Sequence, residues 1–506
     1  MPPFSVNLSR RRFAWLMIAA VAGAVGALSF APLRWWWFAP LSLTVLFYAV
    51  AQSRSARVAA GVAFIFGGVF FAIGLRWIFG ALNGYIGLPL PAAAAIFALL
   101  CAALALYPAV AAYIAWRIGG LGGFGRQTME MRTLFAFAAC WALAEWLRGI
   151  LFTGFPWLAI GYSQTEPSPL SGWLPLLGID GVNLAVALLA VFFILLMRRN
   201  MRTAAVMGII CIIGGGLLLT KVSWTTGKGH ISVSLLQGNV PQSLKWQAGA
   251  VEKAMRDYLR MAKQASGKLI ILPETALPIR WSDIPADYLQ SLQEAAGDGA
   301  ILAGLFMEDN GLHNAAAVLD KNGIGADYRK RHLTPYGEYL PFADILSPLL
   351  LAADIPYFSL SAGKKSAALP LLSTFAGISI CYEDAFGDEW RSQLPAAQFL
   401  VNMTNDGWFD GSVMLAQHLQ ISQVRAAEFG RWLARATNTG LTAIINHKGE
   451  IVDYLPPQTQ GILAGDIDLR IGATPLVRWG IWPSLLLSAL LLLAVWAVGW
   501  RRSLRQ

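Results

Sequence analysis

Three side chains that could together move an acyl group stand where apolar runs of the chain stop: Glu274 after LIILP, Lys330 within DYRKRHLTPYGEYLP, and Cys381 after AGISI. A thiol attacks a carbonyl carbon, a carboxylate takes its proton and later activates the second nucleophile, and an ammonium stabilises the oxyanion formed between them. Open α/β sheets place their chemistry at strand ends, which is where these residues fall. The other cysteines, Cys101, Cys140 and Cys211, lie inside long apolar runs, so Cys381 is the only thiol in the polar part of the sequence. It is either a nucleophile or a buried inert thiol, and spacing alone leaves both open.

The elements that must position them are short. HISVSLLQGN alternates as a half-buried strand, VEKAMRDYLRMAKQA has helical spacing, and KLIILPE is an apolar strand ending on an acid. Further strands are predicted at AILAGLF, HNAAAVLD, AGISICYE, AQFLVNMTND, LTAIINHKG and EIVDYL, with a hairpin at Lys321-Asn322-Gly323 and a helix over 413–430. Interleaved strands and helices predict a layered α/β domain.

That domain is half of the chain. Hydrophobic residues make up 56% and charged residues 13%, far from the balance of a soluble protein. Only four of the 29 acids (Glu130, Glu145, Glu166, Asp180) precede residue 223, and the other 25 lie between 223 and 475. That stretch carries 20 basic against 25 acidic residues and the rest 19 against 4, so the net charge of +10 is a topology signal and argues against nucleic-acid binding.

Apolar runs near 12–31, 36–51, 58–79, 91–116, 133–152, 178–197, 203–220 and 480–500 approach the roughly 20 residues that cross a bilayer, which predicts about eight transmembrane helices. The first run could instead be a signal peptide, since Arg10, Arg11 and Arg12 precede it, though seven further spans make that unnecessary. A cytoplasmic N-terminus puts Arg10 to Arg12, Arg54, Arg57, Arg117, Arg126, Arg132, Arg198, Arg199, Arg202, Arg501, Arg502 and Arg505 inside. Only Arg34, Arg76, Arg148, Lys221 and Arg478 then flank the outside, so residues 223–475 are expected outside and both termini in the cytoplasm. The expected division is a membrane domain over 1–222, a catalytic domain over 223–475, and a last helix with its tail over 476–506. Trp35, Trp36 and Trp37 read as interface anchors, and Glu145 with Arg148 as either a tolerated pair or a substrate contact.

LPE at 272–274, YRKRHLTPYGEYLP at 328–341 and CYE at 381–383, in this order, resemble the nitrilase superfamily. The resemblance implies an αββα sandwich with Glu274 as base, Lys330 as its ammonium and Cys381 as nucleophile. EWLRGILFTGFPWLAIGYSQ at 145–164, LLQGNVPQSLKW at 235–246 and TNDGWF at 404–409 make nearly the whole chain similar to that superfamily's membrane branch, the apolipoprotein N-acyltransferase family. It implies a bacterial inner-membrane enzyme with a periplasmic catalytic domain. Cys381 would take an acyl chain from a glycerophospholipid, typically phosphatidylethanolamine, as a thioester and pass it to the α-amine of a diacylglyceryl-cysteine apolipoprotein. Glu338 matches the family's second glutamate, which either assists the reaction or braces Lys330; Trp246, Tyr382 and Glu383 match residues of the site or of substrate binding. The chain departs from the pattern before Pro273, where many members have Trp, and after CYE, where Asp384-Ala385-Phe386 replace apolar residues.

Residues 339–361 are unusually apolar and contain three prolines, which favours an exposed loop over a long helix and makes them either a lid dipping into the outer leaflet or an interior segment. Trp408 and Phe409 could act likewise, and Asn405 could orient groups near the nucleophile. His332, His418 and His447 lack metal-ligand spacing, so neither metal nor cofactor is expected. A membrane-tethered amidase would use the same three residues. A transporter would need repeats and midplane charges that the spans lack.

Overall fold

The computed structural model describes residues 4–123, 125–243, 245, 248–352, 359–364 and 367–504. They form two compact units, one of residues 1–223, 412–420 and 478–506, the other of 224–411 and 421–477.

The first unit is helical. Five of its helical segments are long and apolar enough to cross a membrane: Ala56–Gly74, Leu90–Gly119, Pro169–Leu196, Arg199–Leu219 and Trp482–Ser503. Phe13–Ala27 and Phe38–Ala51 are shorter apolar helices. The predicted span over 133–152 falls on the helix Arg126–Arg148, after which Phe152 adopts a left-handed backbone (φ +54°) and the chain turns. Two buried arginines of this unit are bonded to backbone. Arg132 donates to the carbonyls of Gly119 (3.0 Å), Ile118 (3.1 Å) and Val495 (2.9 Å). Arg148 pairs with Glu145 (2.6 Å) and donates to the Trp157 carbonyl (2.8 Å), so the Glu145–Arg148 pair is part of the packing.

The second unit carries twelve strands among the described residues. They are β1 (Thr226–Gln237), β2 (Leu269–Ile271), β3 (Ala300–Glu308), β4 (Leu312–Asp320), β5 (Gly323–Arg329), β6 (Leu369–Leu371), β7 (Thr374–Ile380), β8 (Phe399–Thr404), β9 (Leu433–Thr437), β10 (Thr442–Ile445), β11 (Ile451–Leu455) and β12 (Gly461–Ile471). Two six-stranded sheets result, ordered β12-β1-β2-β3-β4-β5 and β11-β10-β9-β8-β7-β6. Each has a parallel centre, β1-β2-β3 in one and β7-β8-β9 in the other, and parallel strands buried on both faces read as unbroken apolar runs.

The sheets face each other across a core that includes Val233, Leu235, Ile271, Ile378, Val401 and Ala434, where burying one Val or Ile is worth about 1.5–3 kcal/mol. The other face of the first sheet packs Leu236, Ile270 and Ile301 with Tyr258 and Met261 of the helix Ala248–Gln264 and Leu292 of Ala286–Ala296. Beyond the second sheet, Ser422 of the helix Met414–Phe429 takes a hydrogen bond from Arg435 of β9 (3.1 Å). The result is the expected αββα sandwich. The hairpin at Lys321-Asn322-Gly323 forms between β4 and β5.

Two expectations are corrected. The strand read through AGISICYE ends at Ile380, and Cys381–Ala385 form a single 3-10 turn that lifts the thiol out of the sheet. Part of 339–361 is the helix Ala343–Ala352, formed in spite of Pro348, where a loop was expected; residues 353–358 of that segment lie outside the described residues.

Candidate active site

Glu274 follows β2, Lys330 follows β5, and Cys381 follows β7. The Glu274 turn is tightly held: Gly304 on β3 packs so close that a Cβ there would lie 2.3 Å from the Pro273 oxygen and 2.8 Å from the Glu274 Cα. Glycine at 304 is therefore a condition of the close approach. The next residue, Thr275, has φ +46°, a conformation that costs a β-branched residue on the order of 1–3 kcal/mol and persists only where surroundings enforce it.

The Glu274 carboxylate is buried and bonded at both oxygens. Oε1 accepts from Asn314 Nδ2 (2.7 Å) and Oε2 from the Asn405 amide (2.7 Å), with Lys330 Nζ 3.5 Å from Oε1. Asn314 Nδ2 also donates to Glu338 Oε1 (2.8 Å), so one amide bridges the two glutamates. Glu338 Oε2 lies 2.7 Å from Lys330 Nζ and accepts from the Thr334 amide (2.8 Å). Burial works against the charge on Lys330, but the Glu338 and Glu274 carboxylates and Cys381 outweigh it and hold the ammonium above its usual range. Burial likewise opposes ionisation of Glu338, and Lys330 with its hydrogen-bond donors wins, keeping that carboxyl below its usual range. A permanently charged ammonium with one firm bond and two long ones, to Glu274 and Thr334, can turn toward an oxyanion.

Cys381 has φ +55°, outside the strand geometry of the residues before it. Asn402 Nδ2 reaches its carbonyl (3.4 Å) and Ser379 Oγ (2.9 Å), while Asn402 Oδ1 accepts from Arg435 (2.6 Å). Arg435 is ion-paired with Asp406 (2.9 Å), and Thr404 donates to Asp406 (3.2 Å), so a fully buried polar network lies behind the Cys381 turn. Burial and the Glu274 carboxylate push the thiol well above its ordinary range, with Lys330 opposing. The group at rest is a thiol, so a nucleophilic role would require a base to take its proton.

Of the other residues singled out by sequence, Glu383 is completely buried. Its carboxylate accepts from the amides of Ile380 (2.7 Å), Arg331 (2.6 Å) and His332 (3.0 Å) and from the Tyr328 hydroxyl (3.0 Å). It thereby ties the Cys381 turn to the segment carrying Lys330, a brace and not a substrate-facing group. Tyr382 is half-buried, with its ring edge-on to Phe386, which stacks on His332 at 3.5 Å. Asn405 holds Glu274 through its backbone amide. Trp246 lies outside the described residues.

Sequence reasoning missed Asn314 and Lys245. The first is the one amide in the apolar strand HNAAAVLD, a visible signal. The second, 3% exposed, donates to Thr275 Oγ1 (2.5 Å) and to the Glu274 carbonyl (3.3 Å), and a lysine between apolar neighbours gives no such sign. Among the described residues no group of three or more His, Cys, Asp or Glu could hold a metal ion.

The family model for the apolipoprotein N-acyltransferase N-terminal domain matches residues 22–192, and that for carbon-nitrogen hydrolases matches 232–475. An apolipoprotein N-acyltransferase of Chromobacterium violaceum is 39% identical over 496 residues, covering 96% of this chain and 94% of its own. One from Nitrosomonas europaea is 38% identical, covering 94% and 96%, and one from Methylococcus capsulatus is 38% identical, covering 94% of each. The chain belongs to the apolipoprotein N-acyltransferase family, with a nitrilase-like α/β domain following its helical N-terminal region.

Proposed function

We propose that this membrane acyltransferase works through a thioester on Cys381. As Sγ attacks the ester carbonyl of a glycerophospholipid, Glu274 takes the thiol proton and the Lys330 ammonium faces the developing oxyanion. The tetrahedral intermediate expels the lysophospholipid oxygen, which receives the proton back from Glu274. The free α-amine of a diacylglyceryl-cysteine apolipoprotein then attacks the thioester, Glu274 takes a proton from the amine, and the sulfur leaves to be reprotonated. A thioester conserves acyl-transfer potential between the two steps. Glu338 keeps Lys330 charged and in place.

The observation that carries this reading is the buried Glu274–Lys330–Glu338 cluster, bridged by Asn314 and set against a thiol on a left-handed turn at a strand end. The charge pattern along the chain supports about eight spans over 1–222 and 476–506, cytoplasmic termini and a periplasmic 223–475 domain in a bacterial inner membrane. Phosphatidylethanolamine is the donor to test first, and Trp246 and Tyr382 are candidates for substrate contact.

Purified full-length protein is incubated with acyl-labelled phosphatidylethanolamine, and the Cys381 peptide is examined. A hydroxylamine-labile label that is absent from Cys381→Ala is expected; an unlabelled wild type would sink the proposal. Adding an amine-bearing lipopeptide then separates transfer from hydrolysis, the outcome that an amidase would give.

A further inference from the structure

The site described so far holds two carboxylates, Glu274 and Glu338, against one ammonium, Lys330. Once Cys381 gives its proton to Glu274, the group still carries one negative charge more than it has positive, in a place shielded from water. Such an imbalance is costly at low dielectric, and buried charges occur paired. Lys245 lies against the Glu274 turn from the other side. The residue is 3% exposed, and its ammonium bonds Thr275 Oγ1 at 2.5 Å and the Glu274 carbonyl at 3.3 Å. Thr275 is the residue in the left-handed conformation, so the ammonium grips the turn where its backbone is least self-supporting.

We propose that Lys245 is a positioning residue and second cation of this site, which clamps the Glu274–Thr275 turn and balances the negative charge that remains when Cys381 ionises. The proposal rests on the Glu274–Lys330–Cys381 reading. With Lys245 protonated, two cations face two anions before proton transfer, Glu274 and Glu338, and two after it, Glu338 and the thiolate. Among the described residues, the titratable groups facing it are Glu274 and Cys381, with Lys330 and Glu338 beyond Glu274, and Tyr258, which lines the same small space as Lys245 and Thr275. Burial brings the Lys245 ammonium down to about 8, against the opposing pull of Glu274 and Cys381. The balancing charge is thus present below that pH and is lost as pH rises through it.

Three variants of the full-length enzyme test this: Lys245→Met removes the charge, Lys245→Arg keeps it at all accessible pH, and Thr275→Val keeps the charge but removes the clamp. Two rates are followed against pH: single-turnover acylation by labelled phosphatidylethanolamine, and alkylation of Cys381 by iodoacetamide, read on its peptide. Wild-type acylation is expected to decline as pH rises through about 8. Lys245→Met should slow both rates at least tenfold at pH 7 with little change in the phospholipid concentration for half-maximal rate. Lys245→Arg should restore acylation and move the alkaline decline upward by a pH unit or more, and Thr275→Val should slow acylation without moving it. Superimposable alkaline declines in wild type and Lys245→Arg, or both rates within threefold of wild type in folded Lys245→Met, overturn the proposal. A wild type that never acylates, but whose Cys381 alkylation still depends on Lys245, refutes the thioester reading and leaves the charge-balancing role standing.

Discussion

Adding one methyl group at Gly304 tests whether the site depends on the close approach of β3 to the Glu274 turn. A Cβ there would lie 2.3 Å from the Pro273 oxygen, 2.7 Å from the Thr275 nitrogen and 2.8 Å from the Glu274 Cα, where real contacts stop near 3.0 Å. All three are backbone atoms, so no rotamer change relieves the overlap, and the turn must retreat by at least the missing 0.7 Å. A retreat of that size takes the 2.7 Å bonds from Asn314 and the Asn405 amide to about 3.4 Å, beyond the ~3.2 Å limit of a good N–H···O bond. A misplacement of about 1 Å costs on the order of 100-fold in rate, so Gly304→Ala should lose roughly 30- to 100-fold in single-turnover acylation of Cys381. The overpacking should cost about 1–3 kcal/mol of stability, measured in parallel by thermal unfolding in detergent. Gly465→Ala is the control: its Cβ would meet the Ile444 Cδ1 at 2.7 Å, the flexible end of a side chain, and acylation should hold. Acylation within threefold of wild type in a folded Gly304→Ala protein would refute the idea that this contact positions the base.

Glu338→Gln leaves the buried Lys330 ammonium with Glu274 at 3.5 Å as its remaining carboxylate partner; breaking such a pair costs about 3–5 kcal/mol, and both unfolding temperature and thioester yield should fall. Glu383→Gln should be worse tolerated than Tyr328→Phe. The amide NH₂ would meet a backbone N–H of Ile380 or of Arg331 and His332, whereas the phenylalanine merely withdraws one donor at about 1–3 kcal/mol. Comparative unfolding temperatures decide the order. His447 is held neutral by burial and by Arg470 and Lys448, which lower it to about 4. The unfolded chain binds its proton first, so stability present above pH ~6.5 is lost as pH falls through about 4. For a partly exposed ring this amounts to roughly 1 kcal/mol, and His447→Asn should flatten the acid side of the stability profile by that much.

The parts of the fold that were legible in the sequence are those whose burial is one-sided or complete over several residues. β3, β4 and β8 are central strands, and their runs AILAGLF, HNAAAVLD and FLVNMT are apolar because both faces are covered. β12 was missed for the opposite reason: GILAGDIDLRI mixes buried and exposed positions with two acids, because its strand pairs only with β1 at a sheet edge. Cys381 looked like a strand residue because AGISICYE continues the apolar run. What ends β7 is not a breaker in the sequence but the Glu383 carboxylate, which captures the Ile380 amide that a longer strand would have paired. The end of that strand is set by a charge that reaches back, which propensity does not register.

The same distinction governs the site. Glu274, Lys330 and Cys381 were legible because each is a reactive type at an abrupt polarity change. What holds them is legible only in three dimensions: Asn314 acts by having two glutamates within reach of one amide nitrogen, and Glu383 by facing three amides from two segments. Lys245 is further from view still, since 29 residues separate it from the carbonyl that it binds. A sequence motif marks which groups are candidates to react. The charge balance proposed for them is a property of where a distant lysine ends up, which is why Lys245 has to be sought by burial and hydrogen bonding and not by spacing.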